Sequence, residues 1–379
     1  MPETPASIGR RPLLHGAAAA VALLPLGCAR PGTDNKQAEA GKSGLELVAS
    51  FPHQATGVAV APSGRTFVNF PRWEEDVAIS VAEVGSGGAL TPYPDAAWNS
   101  YRNATPSAAA RRFVCVQALT VDPLGNLWVV DPAAPALAFE VPDGPKLVRI
   151  DLASNQVSRV YPFDRTVAPQ GTYLNDIRFT PDGQRAVLTN SGQPGSLITL
   201  DVSSGQARRV LDGHPSTQVQ PNVAVVVDGR DLRRPDGEPP KFSADGLAID
   251  VKGEYVHWQA TTGTTMYRIP VAALFDSRIT PSELGRMVEV FAQTFVADGY
   301  WMARDGTLYV TSCTDNSVKR MTPDRQFVVA AQDSRLLWPD SMAEGADGSL
   351  YVTASHIPQM RSWQGPGVAE TQLFRFKPA

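Results

Sequence analysis

Six polar side chains recur at one register in this chain: Thr56, Gln117, Asn175, Asp245, Asp298 and Asp340 each stand eight residues before the glycine of a turn. The positions two and four residues further on are apolar in nearly every copy, as in Leu247 and Ile249; Glu344 is the exception. Period-2 alternation would place another apolar side chain at the first position, so six polar residues there mark a shared site. Three converging carboxylates repel one another, which raises a pKa or recruits a cation, and oxygen donors of this kind suit Ca²⁺ rather than zinc or copper. Asp298, Asp245 and Asp340 are the candidate acid–base groups, with His356 on a returning strand as a further proton carrier. Thr56, Gln117, Asn175, Tyr300 and Trp338 are candidate ligand contacts, and Trp73 a further aromatic wall. Asp131, Thr189, Asn190, Gln259, Ser312 and Thr314 are candidates for a second polar layer. The blander alternative has the aspartates bonding local backbone N–H groups at strand starts, which explains each alone but not their common register. A lone histidine such as His257 more often hydrogen-bonds in place than does chemistry.

The elements that position these residues are repeats. A glycine turn followed by a β-rich run occurs at Gly64, Gly125, Gly183, Gly253, Gly306 and Gly348, in steps of 61, 58, 70, 53 and 42 residues. Those steps match four-stranded propeller blades with variable loops. Each copy has an apolar strand before the turn and one after it, as in DGLAID then EYVHWQA, and a third strand is visible in LVRIDL, SLITLDV, TMYRIP, SVKRMT and LFRFKP. The expectation is an all-β, six-bladed β-propeller over residues 44–379. Leu45 to Phe51 should join the last blade and close the ring, and the six register positions should converge at one mouth of the axial channel.

Composition narrows the partners. Hydrophobic residues are 43% and charged residues 19%, enough apolar material for a large core, and a net charge of −4 argues against a nucleic-acid or anionic-membrane surface. The expected partner is a small molecule, the expected state a monomer. Three cysteines without a CxxC pair exclude a disulfide scaffold and a cysteine zinc site. No GxSxG, HExxH, Walker or GxGxxG motif occurs, so neither a nucleotide nor a haem cofactor is expected.

Residues 1–27 read as an export signal. Arg10-Arg11 precedes an apolar stretch from Ala17 to Leu26 that is too short to span a bilayer, a twin-arginine pattern. Cys28 after Leu24-Pro25-Leu26-Gly27 is similar to the lipidated cysteine of a lipobox, although Pro25 replaces the usual aliphatic residue. Residues 28–43 form a flexible tether. The expected location is periplasmic, membrane-anchored through Cys28, or secreted.

Several runs resemble the yellow and major royal jelly protein family: Phe70-Pro71-Arg72-Trp73, Pro92-Tyr93-Pro94, VDPLGNLWVVD, Asn175-Asp176-Ile177 with VLTNSG, LITLDVSSGQARRVLDGHPS, Asp245-Gly246 with MYRIP, and Leu337-Trp338-Pro339-Asp340. They run in order from about residue 50 to the C-terminus. The resemblance implies a six-bladed propeller, and its insect members are associated with dopachrome tautomerisation and with binding of small amines. A more distant resemblance is to gluconolactonase-like calcium-dependent propellers, in which Asn175 and Asp298 match metal ligands, Asp245 replaces a second asparagine and Thr56 stands where a glutamate would be. Three functions follow: an isomerase of a small aromatic or quinone-type substrate, a calcium-dependent lactonase or esterase, and a non-catalytic binder of small amines.

Overall fold

The computed structural model describes residues 44–137 and 140–378. The segment expected to be an export signal, with Arg10, Arg11 and Cys28, and the expected tether lie outside the described residues. Six four-stranded antiparallel sheets follow one another along the chain, and the innermost strand of each touches that of the next, the sixth returning to the first. The fold is an all-β, six-bladed propeller. Its innermost strands are Val58–Val60, Ala118–Val121, Leu174–Phe179, Ala244–Ile249, Tyr300–Met302 and Pro339–Glu344, in blades 1 to 6. The blade 6 sheet is completed from the other end of the chain: Glu46–Phe51 pairs with Thr371–Phe376 as its outermost strand.

Strands inside a propeller are covered on both faces by neighbouring blades, which explains their unbroken apolar runs. In the second strand of blade 2, Asn126–Asp131, every residue from Leu127 to Asp131 is buried. Trp128 from this strand packs against Tyr161 of its own blade and Phe179 of blade 3, with ring centroids 5.1 and 4.8 Å apart.

All six turn glycines adopt positive φ, from 69° at Gly183 to 88° at Gly306. A side chain there is strained by its own backbone. Gly306→Val is therefore expected to destabilise the protein by about 1 kcal/mol or somewhat more, read as a lower urea midpoint; an unchanged midpoint would show that the turn tolerates a β-branched residue.

Two features lie outside the repeat. Helices Val271–Phe275 and Pro281–Arg286 join the third and fourth strands of blade 4. The long connection between blades 3 and 4 carries a small hairpin, Val226–Val227 with Arg230–Asp231. It forms a strap: Arg230 donates to the carbonyls of Trp363 and Pro358, and Gln364 Nε2 donates to Arg234 O at 2.6 Å.

Candidate active site at the propeller axis

The innermost strands carry an irregularity where the site residues stand. Pairing register shifts between Leu174 and Ile177, between Ala244 and Leu247, and between Pro339 and Met342. Such bulges re-aim the residues they contain, here Asn175, Asp245 and Asp340. Backbone N–H groups released from the ladder find threonines on the second strand: Asp176 N on Thr189, Gly299 N on Thr311 and Ser341 N on Thr353, at 3.1, 2.9 and 3.1 Å.

The residue after each register position is Gly57, Ala118, Gly246, Gly299 or Ser341 in five blades, and Asp176 in the sixth. Small residues let the inner strands approach: a Cβ on Gly246 would lie 2.5 Å from Asp298 O and 2.7 Å from the Tyr300 ring. This is the packing reason for the Asp-Gly pairs. Asp176 instead projects a buried carboxyl, held by Arg178 Nη2 at 3.4 Å. Arg178 also reaches from blade 3 to Tyr300 O of blade 5 at 2.8 Å.

Asn175, Asp245, Asp298, Asp340, Gln117, Trp73 and Trp338 line one cavity of about 620 Å³. Phe242 of the strap and Trp363 add aromatic wall, and Arg234, Asp236, Glu238 and Lys241 put both charge signs along it. The ring is divided. Blades 1 to 3 contribute neutral polar groups at the register position, and blades 4 to 6 contribute the three aspartates.

The acidic half is buried and internally bonded. Asp245 and Asp298 are close enough for the Asp298 charge to act on Asp245, and Trp338 Nε1 donates to Asp298 Oδ2 at 2.5 Å. Trp338 is held with φ +56°, a strained conformation for so bulky a residue and one often found at functional sites. Burial pushes the Asp298 carboxyl up to about 6 against the Trp338 donor, which pulls it down. Burial, then the Asp298 charge, holds Asp340 well above the usual carboxylate range; Asp245 is raised by the same causes in the same order. Asp340 Oδ2 is buried with no hydrogen-bond partner among the described residues. A neutral carboxyl there carries a donor that no described residue pairs.

Three residues expected at the site are elsewhere. Thr56 does not line the cavity; its hydroxyl donates to Gln117 O at 2.8 Å and accepts from Asn69, stapling blade 1 to blade 2. Tyr300 lies at the next apolar position of its strand, and its hydroxyl donates to Gln259 Oε1 at 2.6 Å. His356 is absent from the lining and sits in a left-handed turn with Nδ1 3.3 Å from Gln359 Oε1. His257 packs edge-on against Phe291, and burial lowers its pKa to about 4, so it is neutral. Of the second-layer candidates Thr189 supports the ring, while Asp131 pairs with buried Lys146 at 2.7 Å and Gln259 and Asn190 hold loops.

Sequence reasoning missed Tyr173, Asp176, Thr261, Trp363 and the strap. The 70-residue step between Gly183 and Gly253 was the one signal of an insertion there.

Of the expected calcium set, Asn175, Asp245 and Asp298 line one cavity and offer oxygen donors. Thr56, where a further carboxylate would be needed, is committed to Gln117 O, and among the described residues no group of three Asp, Glu, His or Cys side chains forms a metal site.

The fold and the cavity define the class: a six-bladed propeller with a strapped, aromatic-walled cavity over axial carboxyl groups. The chain belongs to the major royal jelly protein family, whose model matches residues 114–364. No curated protein matches the chain by sequence. Among solved structures it is similar to a gluconolactonase from Xanthomonas campestris, with TM-score 0.53, 14% identity, 88% of this chain and 89% of the other covered. It is also similar to regucalcin, a calcium-binding protein from Agrobacterium tumefaciens, with TM-score 0.51, 14% identity and coverage of 86% and 91%. At such identities the likeness concerns the fold.

Proposed function

We propose that the chain is an enzyme that activates the carbonyl group of a small cyclic or aryl ester, a lactonase-type hydrolase working from its axial carboxyl groups. The observation that carries this reading is the unequal environment of three neighbouring carboxyls: Asp298 accepting from the Trp338 indole, Asp245 beside it and under its charge, and Asp340 with a buried, unpartnered oxygen. Groups whose environments push them to different protonation states divide the acid and base roles. Ionised Asp298 takes a proton from water, whose oxygen bonds to the carbonyl carbon. Neutral Asp340 donates a hydrogen bond to the carbonyl oxygen as it gains charge. The ring C–O bond then breaks, and the proton held by the Asp245–Asp298 pair passes to the departing oxygen. The shared fold with a gluconolactonase supports the reading without determining it.

A second reading has one observation of its own. The indole of Trp338 and the wall of Trp73 give the cavity an aromatic side, and a base titrating near 6 suits removal of a proton from carbon beside a carbonyl. The same residues would then isomerise an aromatic or quinone-type compound, with Asp340 hydrogen-bonding the enolate.

Turnover of dihydrocoumarin, glucono-δ-lactone, an aryl acetate and dopachrome, each with and without chelator, tests both. Lactone or ester opening unaffected by chelator is the expected result. Conversion of dopachrome alone would replace the first reading by the second, and turnover of none would end both and leave a binding protein.

A further inference from the structure

Gln117 stands in the neutral half of the ring, on the blade opposite Asp298 across a six-membered circle. The hydrogen-bond network around its amide places the oxygen toward Tyr173. The indole N–H of Trp73 can only donate, and it lies 2.7 Å from the Tyr173 hydroxyl. Having accepted there, the phenol has a single proton to pass on, and it donates to Gln117 Oε1 at 3.0 Å. The amide nitrogen is thereby turned the other way. Its main chain is pinned as well, since Gln117 O accepts from Thr56 Oγ1 at 2.8 Å and Asn69 Nδ2 at 3.1 Å.

Among the described residues Gln117 Nε2 donates to no protein acceptor, although Gln117 is only 6% exposed and lines the cavity. A donor that no protein group satisfies, on a side chain lining an aromatic-walled space, favours whatever brings an acceptor to it and discriminates against an analogue that does not. The relay that orients it, Trp73 to Tyr173 to Gln117, joins residues from blade 1 to blade 3, so the fold spends three side chains on aiming one N–H group.

We propose that Gln117 is the specificity-determining residue of the cavity, selecting a cyclic or aryl ligand by its carbonyl-type oxygen, with Trp73 and Tyr173 as positioning residues that fix the amide. The inference rests on the reading that the cavity takes carbonyl compounds, and it names the group that recognises them. A cavity of about 620 Å³ accommodates a one- or two-ring molecule.

Binding is tested apart from turnover, on the full chain, with two probes of nearly the same shape: dihydrocoumarin, which has the carbonyl oxygen, and chroman, which lacks it. Quenching of tryptophan fluorescence reads both, and melting temperature reports whether each variant is folded. The wild type is expected to prefer dihydrocoumarin by about tenfold. Gln117→Met and Tyr173→Phe are each expected to bring the ratio close to one while chroman affinity changes by less than about twofold; a merely structural role would weaken both probes together. Trp73→Phe takes the place of Tyr173→Phe should that variant fail to fold. An equal affinity for both probes in the wild type, binding of neither, or a ratio unchanged by Gln117→Met overturns the proposal. Should the preference appear without any opening of dihydrocoumarin, the hydrolase reading fails and the recognition role of Gln117 stands.

Discussion

Asp298→Asn is expected to lower turnover by about 100-fold or more while leaving the melting temperature unchanged or raised. Asparagine keeps the shape, accepts from Trp338 through its carbonyl and can donate to Asp245, but it cannot take up a proton. It also removes one member of a cluster in which Asp176, Asp245, Asp298 and Asp340 are all buried and only Arg178 among them is cationic. The pH dependence follows from the direction of the displacement. Folded Asp298 titrates at about 6, above its ordinary 3.8, so between those values the native state holds more protons than the unfolded chain. Stability therefore falls as pH rises from about 4 to 6, and Asp245 and Asp340, displaced the same way, carry the fall higher. The wild type should lose melting temperature across that interval, and Asp298→Asn should lose less. Calcium should leave both melting curves in place, because Thr56, where a further carboxylate ligand would be needed, is committed to Gln117 O. A variant that melts lower at every pH and turns over normally would make Asp298 a strand-start cap instead of a reacting group.

The second large effect is on folding. Gly299→Val is expected to cost more than about 3 kcal/mol, since a Cβ at Gly299 would overlap the Asp340 carbonyl oxygen and lie 3.0 Å from its carbon. Both atoms are backbone of the next blade, so neither can rotate aside. For a protein of this size that is a fall of roughly 4 °C or more in melting temperature, or failure to fold. The contrast with Gly306→Val separates the two roles of glycine in this molecule: at Gly306 the strain is in the residue's own torsions, and at Gly299 it lies between blades. Equal destabilisation by the two substitutions would refute that distinction.

The turn glycines and the axial register were legible because each depends on a local rule, positive φ in one case and alternation along one strand in the other. The three aspartates, Asn175 and Gln117 were found that way. Thr56 and Tyr300 obeyed similar local rules and still missed the cavity, since their hydroxyls are claimed by Gln117 O and Gln259 across blade boundaries that no local pattern encodes. Asp176 escaped because a bulge presents two successive residues where strict alternation allows one. His356 was placed by counting along a strand that in fact ends at Ala354, before a left-handed turn. Tyr173 precedes its strand, and only the three-dimensional relay from Trp73 to Gln117 reveals its part.

The pairing of Glu46–Phe51 with Thr371–Phe376 has a bearing on how the chain comes to be folded. A ribosome releases the first of these segments more than three hundred residues before the second, and until then the earliest-made strand has no partner. Ring closure is the strand pairing of longest sequence separation among the described residues and so among the slowest to form. During synthesis the nascent propeller is an open arc with unpaired strand edges at both ends, the form in which it is most exposed to misassociation with other chains. Loss of even the final ten residues would leave a nearly complete protein in that state permanently, with the outer strand of the last blade stranded at the start of the chain.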